Sequence, residues 1–168
     1  MPRTVFSPRI TLALVLGAAC SAVSALGDEG HWNYYSGTMA VSSGATSTTR
    51  YNLGRVYNTS TTSPLTVYGN IVRGCQEDCE QIDARFAAID KSDVGEVSCT
   101  LKALNGDGSG EVSPTEGTGV SHIASGEEFV SMDTVRAYNN TFAYLLCSIP
   151  ARDSDGYSYL TQWASIDI

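Results

Sequence analysis

Glu96–Leu104 reads EVSCTLKAL, and Thr141–Pro150 reads TFAYLLCSIP. In the first stretch Val97, Cys99, Leu101 and Ala103 fall on one face of an extended chain, with Ser98, Thr100 and Lys102 on the other. In the second, Ala143, Leu145, Cys147 and Ile149 share the face that carries the cysteine. Alternation of period two marks a strand with one buried face. Both cysteines point into apolar faces, which suits a disulfide tying two strands across a core.

Neighbouring stretches have the same character. Tyr51–Asn58 (YNLGRVYN), Leu65–Val72 (LTVYGNIV) and Tyr157–Ile168 (YSYLTQWASIDI) have strand composition, and Ile166 and Ile168 share a side. Ser/Thr/Gly/Asn-rich turns separate them. Helical signals are scarce. Glu77–Ile89 places Ile82, Phe86 and Ile89 at helical spacing, yet IDARFAAID reads equally well with period two, and its neighbours favour a strand. About seven to nine strands are expected, which predicts an all-β antiparallel sandwich. Trp163 follows both Cys99 and Cys147, so the Cys–Trp–Cys order of antibody domains is missing. A Greek-key or jelly-roll-like sandwich is the expected form.

Composition agrees. The 168 residues carry 20 Ser, 16 Thr and 16 Gly, with only 17% charged residues and a net charge of −8. One domain fits this length. The acidic balance supplies no phosphate-neutralising patch, which argues against nucleic acid as a partner.

Residues 1–25 form an export signal: Arg3 and Arg9 precede the apolar run Ile10–Ala19, and Val23-Ser24-Ala25 gives small residues for cleavage. The run is too short for a bilayer, which needs about 20 residues. Gly17 stands where a lipobox before Cys20 would carry an aliphatic residue. Residues 26–168 are then one secreted domain, periplasmic or extracellular, of about 143 residues with no membrane span. It keeps 8 Lys+Arg against 18 Asp+Glu, for a net charge of −10. Cys20 leaves with the signal, and four cysteines remain: Cys75, Cys79, Cys99 and Cys147. An even count in an exported protein predicts disulfides, and four cysteines allow three pairings. Cys75 and Cys79 are close enough to staple one loop; Cys99 and Cys147 would then close a long one. A metal site on Cys75 and Cys79 has no second close pair or nearby His to complete it.

Asn105–Glu116, NGDGSGEVSPTE, matches the EF-hand loop at most positions. Asn105, Asp107 and Ser109 supply side-chain oxygens, Gly110 the sharp turn, Glu111 a carbonyl and Glu116 a bidentate carboxylate. The flanks disagree: CTLKAL alternates like a strand, and GTGVSHIASG is too rich in Gly and Ser for a helix. A similar stretch from Asp90, only 15 residues upstream, has Leu101 in place of the bidentate acid. An Asn/Gly/Asp-rich turn is the simpler expectation, with calcium the alternative and no other cofactor expected.

Catalytic signatures are missing. His31 and His122 belong to no HExxH motif, and there is no GxSxG elbow or phosphate loop. Glu127 and Glu128 are adjacent and would face opposite ways on a strand. Glu77, Asp78, Glu80 and Asp83 read as a solvated acidic loop. Trp32, Tyr34 and Tyr35 could form a sugar-stacking platform, though core packing of an N-terminal strand is the simpler role. Asn58-Thr59-Ser60 and Asn139-Asn140-Thr141 fit the N-glycosylation pattern.

The stretches RVYNTSTTSPLTVYGNIVR, VSCTLKALNGDGSG and YLLCSIPARDSDGYSYLTQW together resemble a group of small secreted, disulfide-bonded β-sandwich proteins of environmental bacteria. The resemblance spans most of Ser36–Ile168. It implies the fold, secretion and a Cys99–Cys147 bond, but no activity and no catalytic residue. Two further cysteines of that pattern are replaced here at Ala40 and Gly69-Asn70, and Cys75 and Cys79 look like an addition. Under this resemblance NGDGSG lies on a connection after a strand. The expected function is non-catalytic: a structural or binding domain acting by surface contact on a protein or glycan in the envelope or matrix. The alternatives are an extracellular calcium-binding protein and, last, a small carboxylate-dependent hydrolase.

Overall fold

A computed structural model describes residues 32–44, 47–74, 79–93, 95–107, 110, 117–121, 128–138 and 141–168. The expected export signal, Cys75, both histidines, Glu77, Asp78, Glu127, Asn139, Asn140, and Ser109, Glu111 and Glu116 of the calcium-like loop lie outside the described residues.

The chain forms two antiparallel sheets. The first contains β1 (Asn33–Ser36), β3 (Thr49–Asn52), β4 (Arg55–Asn58), β6 (Gln81–Ile89), β9 (Glu128–Ser131), β10 (Val135–Arg136) and β12 (Tyr159–Asp167). The second, in order across the sheet, is β2 (Val41–Ser42), β5 (Leu65–Ile71), β11 (Thr141–Ile149), β7 (Val97–Asn105) and β8 (Gly117–Ser121). From β4 to β7, and again from β11 to β12, successive strands alternate between sheets, as in a jelly roll. The all-β sandwich is therefore present. Twelve strands among the described residues exceed the seven to nine expected, because several are edge pieces of two to four residues. One such case is Tyr51–Asn58, which folds as most of a hairpin rather than one strand: β3 and β4 meet at Leu53-Gly54, both at positive φ (49° and 82°).

Within the 77–89 stretch, Gln81–Ile89 is a strand, as period two predicts, along which Ile82, Ala84, Phe86 and Ala88 enter the core. The two cysteine strands pair in register, Cys99 opposite Cys147, in a disulfide with Cα atoms 4.0 Å apart. The bond thus joins neighbours within one sheet and faces the core, instead of crossing it. Cys79 is also disulfide-bonded.

Trp163 fills the centre. Its indole stacks on Tyr35 (centroids 5.6 Å apart, planes 15°) and its Nε1 donates to the Asn70 carbonyl at 3.2 Å. A Cβ on Gly69 would stand 2.8 Å from the indole, so only glycine lets the facing sheet approach. Ile166 and Ile168 do not join this core; Ile168 is exposed, because alternation along β12 shifts at a bulge between Leu160 and Gln162.

Candidate functional site on the outer face of the seven-stranded sheet

Side chains that alternate away from the core on the first sheet build an aromatic band interleaved with arginines. Tyr34 (β1), Arg55 and Tyr57 (β4), Tyr159 and Gln162 (β12), Arg85 (β6) and Phe129 (β9) all lie on this outer face by register. The contacts run in sequence. The guanidinium of Arg152 lies 5.0 Å from the Tyr157 ring, and Tyr157 packs edge-on to Tyr57 at 5.2 Å. Tyr57 meets Tyr159 at 5.4 Å, and Arg55 lies 5.6 Å from the Tyr159 ring. Beyond a groove, Tyr34, Phe129 and Trp32 surround Arg85 at 5.4, 4.6 and 4.3 Å. From β9 to β3 the face is five strands wide, about 19 Å at ordinary strand spacing.

Tyr35, predicted for the core, is there. Trp32 and Tyr34 are not: they sit on the outer face. Tyr34 is held in place because Arg85 both donates a hydrogen bond to its hydroxyl and faces its ring.

The groove has a volume of about 350 Å³ and is lined by Tyr34, Ser36, Leu53, Arg55, Thr161 and Gln162, among others. Local geometry makes it. The Ser36 hydroxyl donates to the Gly54 carbonyl at 3.1 Å, fastening β1 to the hairpin tip. Gly37 lies so tightly under this corner that a Cβ would stand 2.4 Å from the Leu160 carbonyl oxygen. Leu53 forms the lip, 90% exposed and the one non-glycine at positive φ among the described residues. Leucine is doubly misplaced there, since the left-handed region costs an L-residue about 1–2 kcal/mol and its side chain meets water. Nothing in the alternation pattern signals this residue; the local sign is Leu-Gly at a two-residue turn that usually takes Asn-Gly.

Other sequence-marked groups have structural employment. Buried Asp90 accepts from Ser92 N, Val97 N and the Ser158 hydroxyl at 2.7–3.0 Å. Asp153 accepts from Asp93 N and Asp155 N, which holds its carboxyl below the ordinary value. Asp83 accepts from the Thr134 hydroxyl. Asn58 is fully buried, its amide donating to the carbonyls of Ser63, Ile149 and Pro150, so the folded chain cannot offer it for glycosylation. Asn105 ends β7, and its N–H donates to the Gly110 carbonyl. The 105–116 loop thus joins two paired strands, where an EF-hand has helices. No group of three or more His, Cys, Asp or Glu side chains suited to a metal occurs among the described residues. Nor is any helix among them long and apolar enough to cross a membrane.

The second sheet's outer face carries a broader depression of about 660 Å³ bordered by Tyr68, Val72, Leu104, Phe142 and Tyr144. It is more uniformly apolar than the groove, which combines a ring, hydroxyls, an amide and a guanidinium.

No protein-family model and no curated protein sequence matches the chain. Solved structures do share its shape. The enzymatically active domain of tailspike protein 4 of bacteriophage CBA120 matches with TM-score 0.50 and 10% identity, over 83% of this chain and 20% of that one. The chain spans about a fifth of that protein's length. The CBM36-1 domain of a multidomain xylanase from the hindgut metagenome of Trinervitermes trinervoides has TM-score 0.48 and 12% identity, covering 81% of this chain and 96% of its own. A family 35 carbohydrate binding module from Clostridium thermocellum has TM-score 0.45 and 10% identity, covering 80% and 97%. At such identities the likeness concerns fold alone.

Proposed function

We propose that the domain is a non-catalytic binding module, acting outside the cytoplasm, that holds a carbohydrate chain on the outer face of its seven-stranded sheet. The groove is the central subsite. Tyr34 offers a flat, preorganised ring for a sugar face, and the groove beside it contains the Gln162 amide and the Arg55 guanidinium as hydrogen-bonding groups. Sugars need this mixture because their ring faces are apolar and their edges polar. The observation that carries the reading is Leu53, a strained and exposed apolar side chain at the lip of a polar groove. Backbone strain clusters at functional sites, so a strained residue beside a concave site supports a binding role. The disulfides support a location in an oxidising compartment.

The test is retention of the purified domain on a panel of immobilised polysaccharides, with Tyr34→Ala and Leu53→Asn variants. Truncating a central aromatic anchor costs about 2 kcal/mol, or roughly thirtyfold in affinity. Both variants should therefore lose retention while Leu53→Asn melts no lower than the parent. Retention unchanged in both, or no retention of the parent on any polysaccharide, sinks the proposal.

A further inference from the structure

Among the described residues the groove contains one charged side chain, Arg55, and no carboxylate lines it. Arg55 faces the Tyr159 ring and Arg152 the Tyr157 ring, while Arg50, paired with Tyr57 on the neighbouring strand, stands beside this tyrosine trio with its guanidinium donating to the Ser47 and Thr49 carbonyls. Arg85 adds a fourth positive charge beyond Tyr34. Among the described residues none of the four takes part in an ion pair, whereas Arg73 is bound to Asp167 at 2.9 Å. Such a gathering is unexpected by charge alone, because the chain has 18 Asp+Glu and only 10 Lys+Arg. The carboxylates of Asp83 and Asp153 hydrogen-bond to Thr134 and to the backbone of Asp93 and Asp155 rather than to these arginines.

We infer that the glycan taken by this face is an anionic one, its oxyanion held by Arg55 in the groove while Arg50 and Arg152 attract the next charges along the band. This rests on the carbohydrate reading above. A guanidinium presents a planar fork of donors that matches a carboxylate or sulfate in two parallel hydrogen bonds, and charge assistance makes these stronger than neutral ones. Packed against Tyr159, the Arg55 side chain is already positioned, so less freedom is lost on binding. The ring-and-arginine pattern would also suit single-stranded nucleic acid, but a chain at −8 opposes the dense charge of a phosphodiester backbone more than the sparser charge of an acidic polysaccharide.

Affinity electrophoresis and calorimetry with polygalacturonate, dextran sulfate, neutral arabinoxylan and a dT oligomer, at low and high salt, decide the matter. The expected result is acidic glycan bound about tenfold more tightly than neutral, the advantage shrinking in high salt. Comparing polygalacturonate with dextran sulfate separates carboxylate from sulfate. Arg55→Ala and the bulkier Arg55→Gln should each abolish the preference for acidic over neutral glycan, and Phe142→Ala, on the opposite face, should change nothing. Equal binding of acidic and neutral chains, both lost in Tyr34→Ala, overturns the anionic inference and leaves the carbohydrate reading standing. No saccharide binding at all overturns both. A dT oligomer bound as tightly as polygalacturonate also overturns the anionic-glycan assignment.

Discussion

Trp163 and Gly69 make a complementary pair across the sandwich, one the largest buried side chain and the other no side chain at all. Gly69→Ala should destabilise by about 1–3 kcal/mol through overpacking, and Trp163→Ala by about 3–5 kcal/mol through the cavity left. Urea unfolding of both variants measures this. The pair also bears on the two positions where the resemblance implies cysteines. Extending the register Val41↔Tyr68 by one step puts Ala40 opposite Gly69. Adjacent inward positions on paired strands are where a cross-strand disulfide would sit, and here the indole occupies that space. Sequence could assign the inward faces of Cys99 and Cys147 because each lies in a nine-residue strand of unbroken alternation. It could not place Trp32 and Tyr34, since aromatic residues suit either face of a strand and only the register of β1 on β12 decides between them.

Among the elements, the β3–β4 hairpin and the 90–97 loop show where local chemistry departs from pattern. Leu53→Asn creates the favoured Asn-Gly turn and should stabilise the domain by about 1 kcal/mol, raising the melting temperature while binding falls. Asp90→Ala leaves the buried Val97 N–H and the Ser158 hydroxyl proton without an acceptor, although Ser158 Oγ still accepts from Lys91 N, and should cost at least about 2 kcal/mol; a stability loss no greater than that of a surface substitution would refute this. The sequence marks Asp90 only as the start of a second loop-like stretch, because its partners lie 2, 7 and 68 positions away. Hairpin tips and buried loop acids are set by contacts distant in sequence, so alternation leaves them unread. The β7–β11 pair is the opposite case, since matching apolar faces and two cysteines specify it. Removing its disulfide by Cys99→Ala/Cys147→Ala should cost about 2–5 kcal/mol, read from denaturant midpoints.

For the whole molecule, the two sheets divide the chemistry. One outer face holds the arginine–tyrosine band; the other holds Tyr68, Val72, Phe142 and Tyr144. Sandwich class and interior-facing positions were readable because they depend on periodicity. The band was not, because its residues come from β1, β4, β6, β9, β12 and the 150–158 connection, and only sheet order makes them neighbours. The 105–116 loop belongs at this scale too. Calorimetric titration at millimolar calcium distinguishes a metal site from a plain hairpin connection, and a plain connection predicts no heat and no shift in melting temperature.

The in-register bond between Cys99 and Cys147 also determines how the domain would carry a load. Pulled by its two ends, the chain transmits tension from β7 directly to β11 across the sulfurs, and the 48-position segment between them bears none. β8, β9 and β10 are thus shielded from stretching. In a force-extension experiment the oxidised domain should lengthen by roughly 160 Å less than the reduced one. A module anchored at one end to a surface and along its sheet to a polymer would keep that span from being stretched while its termini are drawn apart.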